Sequence, residues 1–470
     1  MSFDSLHFVL FFCIVLFVYW FSPSKYQWMI IMVSSLYFYM SWKPAFVVLI
    51  LFDAVVSWFF AKQIEKRKTW KWLLVIPLIV CLTILFIFKY LNFGITIINS
   101  IFELFSVNRS LDTFNHIILP VGISFYTFQV VGYLIDVYRG EIKAEKHFGK
   151  YLAFVMFFPQ LVAGPIERAS NLLPQIKEKH VFRYSDGTHG LKLMVWGYFK
   201  KLVVADTLAI YVDEVYNNLY THTGFSLLLA ALFFSFQIYC DFSGYSDIAR
   251  GSAQLLGIKL MNNFNCPYFA DSIKDFWSRW HISLSTWFRD YVYIPLGGNR
   301  KGEWRKSFNL LVTFFLSGLW HGASWNFVAW GGWNGVLRIV ENKLVKHTPR
   351  LIRMISVFII VTVGWVLFRA ASFKDAAYVI SHFFYGIGIP RTYIVDGLKA
   401  INMGKRDVVE VLIIMLVLFI GDFLQETIGM EDFLKKFKRP IRWTLYLGMI
   451  LIIVFLIPVS SEKGFIYFQF

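Results

Sequence analysis

Long apolar runs recur along the whole chain, separated by short polar or basic segments. A membrane-spanning helix needs about 20 consecutive apolar residues, so the longer runs predict transmembrane helices and the shorter ones predict re-entrant or interfacial segments. The pattern therefore predicts an all-α integral membrane protein. The runs lie at residues 8–21, 28–40, 45–61, 73–88, 117–137, 151–163, 191–211, 225–239, 308–319, 327–340, 354–368, 408–423 and 444–458.

Composition and charge support the same interpretation. Of the 470 residues, 57% are hydrophobic and 16% are charged, against about 25% charged in a typical soluble domain. Basic clusters between apolar runs account for much of the formal net charge of +16, at 62–71, 300–306, 343–353 and 435–442. Since basic loops stay on the cytoplasmic side during insertion, membrane topology explains the clusters. We therefore expect membrane lipid around the protein and no nucleic-acid partner.

The basic loops also predict the orientation of the chain. With 62–71 in the cytoplasm, the crossings before it place the N-terminus outside, and with 435–442 in the cytoplasm the last run places the C-terminus outside. The first run lacks a basic flank and a small-residue cleavage site, so we expect it to be retained as a helix. Four cysteines without a CxxC pair predict neither a disulfide framework nor a metal site.

A single polytopic membrane domain is expected, in three consecutive stretches. Residues 1–150 and 341–470 are expected to form N-terminal and C-terminal helices, and in 151–340 the apolar pattern is repeatedly broken by Gly, Pro, Asn, Asp, Arg and His. Irregular backbone at membrane depth is tolerated only where protein or a water-filled cavity surrounds it, and ionisable residues there mark functional sites. We therefore expect the chemistry in the central stretch.

His321 is the most informative residue of that stretch. A helix that rises 1.5 Å per residue from the basic cluster at 300–306 would carry it about 21 Å into a hydrocarbon layer of about 30 Å. A histidine buried there stays neutral, which is the state that a general base needs. The alternative is a packing histidine among tryptophans. Three candidate substrate-binding residues flank it: Trp320, Trp325 and Asn326.

His281 lies in a segment whose aromatic residues recur at helical spacing. In 277–291 the aromatic side chains fall on one side of a predicted helix and the charged and hydroxyl side chains fall largely on the other. This pattern predicts an amphipathic interfacial helix. His281, on the aromatic side, could orient a substrate or could simply reach the membrane interface, and both alternatives stay open.

Asp241, Asp247 and Arg250 form a further group of ionisable residues within or near a membrane segment. Intramembrane charges are costly, so they pair with one another or mark a substrate pathway. One interpretation is a structural pairing of aspartate with Arg250. The other is that Asp241 and Asp247 line a polar tunnel and contact substrate.

Polar and small residues after His321 also have two interpretations. Asn326 and Asn334 could bind a carbonyl or a sugar hydroxyl, or they could satisfy broken backbone between helices. Gly331 and Gly335 form a GxxxG pattern, which indicates close helix packing. No GxSxG, GxGxxG, Walker or HExxH motif is present, so a hydrolase, a dehydrogenase, an ATPase or a metalloprotease is not expected.

Taken together, several segments resemble the membrane-bound O-acyltransferase family, and within it the bacterial branch that acetylates exported polysaccharides such as alginate and peptidoglycan. They extend over nearly the whole chain, and the set is far more specific than any one segment. They read LPVGISFY at 119–126, FPQLVAGPIER at 158–168, YCDFSGYSD at 239–247, FWSRWHISLSTWFRDYVYIPLGGN at 276–299, SGLWHGASWNF at 317–327 and GFIYFQF at 464–470.

The resemblance implies a many-helix bundle around a central tunnel, in the inner membrane of a bacterium and with no bound cofactor. It implies transfer of an acyl group, acetyl in this branch, from a cytoplasmic thioester donor such as acetyl-CoA towards an acceptor outside. The family's essential histidine falls on His321 and its second motif residue falls on His281. In this branch a separate exported acetyltransferase commonly makes the final ester, so an SGNH-type acetyltransferase or polysaccharide assembly proteins are the expected partners.

Two alternatives stay open for the function. In the D-alanyl transfer branch of the same family a carrier protein delivers the acyl group to teichoic acid, and the basic loops could dock an acidic carrier. A transporter of lipid-linked sugars would also carry intramembrane ionisable residues, although the chain shows no internal repeat. Near the C-terminus, Tyr467 could accept or dock an acyl group, or it could anchor the chain at the membrane interface.

Overall fold

All regular structure in the described residues is helical. The computed structural model describes residues 1–114, 117–162, 164–344 and 348–458, and these ranges contain no β-strand. The prediction of an all-α membrane protein is confirmed.

The chain divides into two compact units, each assembled from segments that are distant in the sequence. The first comprises Met1–Leu191, Ala249–Met261 and Gly322–Ser324. The second comprises Lys192–Ile248, Asn262–His321 and the described residues from Trp325 onward. This partition differs from the three consecutive stretches expected from the sequence, and the expectation of one polytopic domain stays a prediction.

Helix bounds in the first unit follow local signals. The Ser5 hydroxyl caps the first helix by accepting a hydrogen bond from the Phe8 N–H at 3.1 Å. Gly122 has a φ of +75°, and a Cβ there would lie 2.6 Å from the Leu161 carbonyl oxygen, so this helix start requires glycine. The α-helices of this unit are Leu6–Phe21, Gln27–Met40, Val47–Lys66, Trp72–Lys89, Leu91–Leu104, Ile123–Arg139, Phe148–Val155, Phe158–Leu161 and Ala169–Lys177.

The second unit contains a π-helical segment, Phe199–Ala205, between the α-helices Tyr184–Tyr198 and Asp206–Asn217. The first of these helices begins in the first unit. π-helical turns are rare and occur frequently at functional sites. Among the described residues after Asn217, the α-helices and the second π-helical segment are Phe225–Leu255, Ile273–Arg279, Ile282–Phe288, the π-helical Arg289–Tyr293, Gly302–His321, Trp325–Leu344, Arg350–Arg369, Phe373–His382, Pro390–Ala400, Lys405–Thr427, Met430–Lys435 and Arg439–Leu456.

Five helices in the described ranges are long and apolar enough to cross a membrane. Two shorter helices, Leu6–Phe21 and Leu91–Leu104, are also apolar. The protein is therefore a multi-pass membrane protein, whereas the outward placement of both termini stays a prediction. The five are Pro44–Lys66, Trp72–Lys89, Phe225–Leu255, Arg350–Arg369 and Arg439–Leu456.

The prediction of a single amphipathic helix over 277–291 is wrong. The segment forms two short helices that are interrupted at Trp280 and His281, and a π-helical turn follows them. The backbone at the break bonds to a loop instead of continuing the helix. The Ile282 N–H donates to the Asn263 carbonyl at 2.9 Å, and the Arg279 carbonyl accepts from the Asn265 N–H at 3.0 Å.

Candidate active site

His321 is the last residue of helix Gly302–His321 and is 4% exposed. This helix packs closely against the next one, Trp325–Leu344. A Cβ on Gly318 or on Gly331 would lie 2.1 or 2.3 Å from a backbone carbonyl oxygen of the other helix. The close-packing interpretation of the GxxxG pattern is therefore confirmed at Gly331, and the same packing fixes the helix end that carries His321.

Aromatic rings surround the His321 imidazole. The ring centroids of Trp320, Trp330 and Phe368 lie 5.0, 5.1 and 5.4 Å from its own, each in an edge-on arrangement. Such surroundings exclude much of the water that would compete for hydrogen bonds and screen developing charge. The depth of about 21 Å expected from helix geometry stays a prediction.

His281 lies at the break between the two short helices and is completely buried. Its φ of +43° and ψ of +54° are left-handed, a conformation that is uncommon for residues other than glycine and is often found at functional sites. Its ring centroid lies 6.3 Å from that of His321 and 5.7 Å from that of Trp320. The structure therefore brings together the two histidines that the sequence singled out.

Burial of the His281 imidazole favours its neutral form. His281 lies outside the five long apolar helices, and burial lowers the pKa of its imidazole to about 3, because desolvation disfavours the charged form. The ring packs edge-on against Phe242, with 4.6 Å between centroids. A neutral imidazole keeps one ring nitrogen with a lone pair, so it can accept a hydrogen bond.

Asn263 holds His281 in place, and it is not among the site residues predicted from the sequence. The Asn263 side-chain oxygen lies 3.1 Å from Nδ1 of His281 and accepts hydrogen bonds from the backbone and hydroxyl of Ser283. Asn263 is fully buried. It lies in a loop without apolar periodicity, and the one available signal was the asparagine-rich sequence NNFN at 262–265.

Asp241 and Asp247 are ion-paired with lysines that were not among the predicted site residues. The Lys201 Nζ lies 2.7 Å from Asp241 and 2.9 Å from Asp206, and the Lys200 Nζ lies 2.5 Å from Asp247. Both lysines are almost fully buried. A structural pairing is therefore present with lysine partners, while a substrate-binding role for the two predicted aspartates stays a prediction.

Two glycines let the lysine-bearing and aspartate-bearing helices approach each other. A Cβ on Gly197 would lie 2.7 Å from the Gly244 carbonyl oxygen, and the reverse distance is also 2.7 Å. The helices therefore cross without intervening side chains, within one turn of Lys200 and Lys201 in one and of Asp241 and Asp247 in the other. The presence of two lysines within the apolar run 191–211 was a usable signal, since buried charges need partners.

The two asparagines after His321 satisfy backbone carbonyl groups. The Asn326 side-chain nitrogen donates to the Ala370 carbonyl at 2.6 Å, and the Asn334 side-chain nitrogen donates to the Trp330 carbonyl at 2.8 Å. These bonds match the second interpretation of the sequence. The side-chain amide of Asn326 has a second hydrogen that could be donated to a substrate. A substrate contact of Asn326 therefore stays a prediction.

The two candidate tryptophans differ in environment. Trp320 is 3% exposed and lies beside both histidines, whereas Trp325 is 54% exposed at the start of its helix. Trp320 is therefore the one that the structure places against the histidine pair. Tyr467 and the segment 464–470 lie outside the described residues.

Comparison with known proteins assigns the family. The family model for membrane-bound O-acyltransferases matches residues 142–371, which include both histidines. A protein of Azotobacter vinelandii named probable alginate O-acetylase is 39% identical over 368 residues, covering 76% of this chain and 73% of its own. The peptidoglycan O-acetyltransferase of Helicobacter pylori is 35% identical over 392 residues, covering 75% and 72%. The teichoic acid D-alanyltransferase of Bacillus subtilis is 29% identical over 257 residues, covering 50% and 62%.

The chain belongs to the membrane-bound O-acyltransferase family. It is an O-acyltransferase of the membrane, and the proteins that resemble it over most of its length include alginate and peptidoglycan O-acetylating enzymes. This assignment confirms the enzyme interpretation and rejects the transporter alternative.

Proposed function

We propose that the protein transfers acetyl groups from acetyl-CoA on the cytoplasmic side to an acceptor that leads to an exported polysaccharide, with His321 as the general base. The observation that carries this proposal is the buried pair of His321 and His281, with ring centroids 6.3 Å apart. The pair lies within the residues that the family model matches. The names of the relatives support acetyl as the transferred group and alginate or peptidoglycan as the class of acceptor.

In the proposed reaction, the neutral His321 accepts the proton of an acceptor hydroxyl as its oxygen attacks the thioester carbonyl. The tetrahedral intermediate collapses, the carbon–sulfur bond breaks, and the leaving thiolate takes the proton from His321. N–H groups that point at the developing oxyanion would lower the barrier. The indole of Trp320 and the second amide hydrogen of Asn326 are the candidates for this role.

The proposal includes a partner outside the membrane. The acetyl group would pass either directly to the polymer or first to an exported SGNH-type acetyltransferase that forms the final ester. Delivery of D-alanine from a carrier protein is the second candidate, because the Bacillus subtilis relative is named a teichoic acid D-alanyltransferase. Its similarity extends over half of this chain, which is why we place acetyl transfer first.

Transfer of radiolabelled acetyl from acetyl-CoA in inverted membrane vesicles tests the proposal. The His321→Ala variant should lose transfer by a factor of about 10² to 10⁴, the usual contribution of a general base, while remaining folded in detergent. The matched control is His7→Ala, which removes an exposed histidine that bonds to Tyr37 and should transfer at the wild-type rate. Normal transfer by His321→Ala would reject the role of the base. Transfer only from a charged carrier protein would favour the D-alanyl alternative.

A further inference from the structure

The side-chain oxygen of Asn263 meets three hydrogen-bond donors or potential donors. The backbone N–H and the hydroxyl of Ser283 lie 3.2 and 2.9 Å away, and Nδ1 of His281 lies 3.1 Å away. The side-chain nitrogen of Asn263 donates to the Ser246 hydroxyl at 3.3 Å. Asn263, His281 and Ser283 are fully buried and Ser246 is 1% exposed, so these protein groups define the surroundings of the amide.

The Ser283 backbone fixes which way the Asn263 amide points. A backbone N–H can only donate, so the atom that it meets must be the oxygen of the amide and not the nitrogen. A flipped amide would place two donors against each other. The orientation of Asn263 therefore follows from an obligatory donor and does not depend on the choice between two similar atoms.

That orientation in turn fixes the proton on His281. The Ser283 hydroxyl also lies 3.5 Å from Nδ1 of His281, but its one hydrogen is donated to the Asn263 oxygen at the shorter distance of 2.9 Å. An amide oxygen only accepts, so the ring nitrogen that faces it at 3.1 Å carries the hydrogen. In a neutral imidazole the other nitrogen then has the lone pair. The left-handed backbone at His281, together with the bond from the Ile282 N–H to the Asn263 carbonyl, holds the ring and the loop in this register.

We propose that Asn263 is a positioning residue of the acyl-transfer site, which holds His281 in the tautomer protonated at Nδ1 so that Nε2 accepts a hydrogen bond from the acyl acceptor. This inference rests on the proposed function for the identity of the reaction, but the tautomer itself does not. Because Nε2 has no hydrogen in this tautomer, His281 orients the acceptor and does not stabilise the oxyanion. The two histidines therefore have different roles: His321 takes the proton, and His281 aligns the hydroxyl compound that loses it.

The tautomer can be read directly from nitrogen NMR spectra of the full-length protein in detergent, labelled at histidine. Protonated and unprotonated ring nitrogens have widely separated shifts, and His281→Gln identifies the signals of His281. Wild type should show a protonated Nδ1. Asn263→Leu removes the acceptor and should shift His281 towards the other tautomer, whereas Asn263→Asp keeps an acceptor and should retain the wild-type tautomer.

Kinetics separate a positioning role from a structural one. Asn263→Leu should lower kcat for acetyl transfer by about 10- to 100-fold, in line with the loss on removing a partner that orients a metal-ligating histidine, with KM for acetyl-CoA unchanged. Asn263→Asp should recover most of that loss. Asn262→Leu, the same change at the neighbouring exposed asparagine, is the matched control and should stay close to wild type in both spectrum and rate.

Two results would overturn the inference. One is a wild-type His281 protonated at Nε2. The other is an Asn263→Leu variant that keeps the wild-type tautomer and nevertheless loses activity, since Asn263 would then act only through folding. Absence of acetyl transfer by the wild type would count against the proposed function, whereas the NMR spectra would still decide the tautomer.

Discussion

Replacing Gly318 by alanine tests whether the close packing of the helix pair sets the position of His321. The added Cβ would lie 2.1 Å from the carbonyl oxygen of Phe327 and 3.2 Å from the Cα of Gly331. Real Cβ atoms essentially never approach closer than 3.0 Å, and both neighbours are backbone atoms that cannot rotate away. The two helices must therefore separate by about 0.9 Å at this point.

His321 lies three residues beyond Gly318, less than one helical turn, so the separation displaces the imidazole by a similar distance. A misplacement of about 1 Å at a reacting group can lower the rate by about 100-fold. Overpacking of this kind typically costs about 1–3 kcal/mol of stability. We therefore expect Gly318→Ala to remain folded, to unfold at a lower temperature and to transfer acetyl groups about 100-fold more slowly.

The assay compares initial rates at saturating acetyl-CoA with the temperature of thermal unfolding in the same detergent. Gly332→Ala on the facing helix is the matched control. Its nearest neighbour is a ring carbon of Phe315 at 3.0 Å, and a side chain can move, so its rate should stay within about twofold of wild type. A wild-type rate in Gly318→Ala would refute the reasoning, and equal losses in the two variants would show that the backbone contact is not the cause.

Two further predictions concern buried ionisable residues. Lys201→Met leaves two buried carboxylates without this partner and should cost about 3–5 kcal/mol, whereas Lys306→Met, which loses an ion pair to the exposed Glu303, should cost less than about 1 kcal/mol. Similar thermal unfolding temperatures for the two variants would contradict this difference. Burial lowers the pKa of His222 from its usual 6.5, and the Glu214 carboxylate opposes the shift. The unfolded chain then binds more protons below pH 6.5, so the stability provided by the neutral His222 is lost as the pH falls from that value towards the lower folded pKa. His222→Gln should reduce this acid sensitivity. If the unfolding temperature falls on acidification by the same amount in His222→Gln as in wild type, the role of His222 is rejected.

The fold class was predictable because a long apolar run can form only a few kinds of stable structure in a bilayer. The helix Leu91–Leu104 escaped that reasoning, since polar residues interrupt its sequence. Two of them, Asn92 and Asn99, accept hydrogen bonds from the backbone N–H groups of Phe114 and Leu111 at 2.9 and 2.8 Å. Their partners lie in the segment after the helix, which no local periodicity describes.

The candidate site was predictable at His321 and His281 but not in its supporting contacts. The break at His281 is made by backbone hydrogen bonds to Asn263 and Asn265, while the side-chain periodicity continues through 277–291 as though the helix were unbroken. Likewise, Lys200 and its partner Asp247 are 47 positions apart. A single sequence contains the residues of such contacts but not which of them meet.

The lysine–aspartate pairs have a consequence for how the chain enters the membrane. An aspartate near the centre of a membrane helix costs about 2.5–3.5 kcal/mol on insertion scales, so a helix with both Asp241 and Asp247 would enter alone at a cost of at most roughly 5–7 kcal/mol. The segment with Lys200 and Lys201 leaves the ribosome first, and its two lysines pair with these aspartates in the folded protein. We therefore expect the two segments to enter the lipid together as a helical hairpin. The lysine-bearing segment would then stay at the insertion machinery until the aspartate-bearing segment has been synthesised.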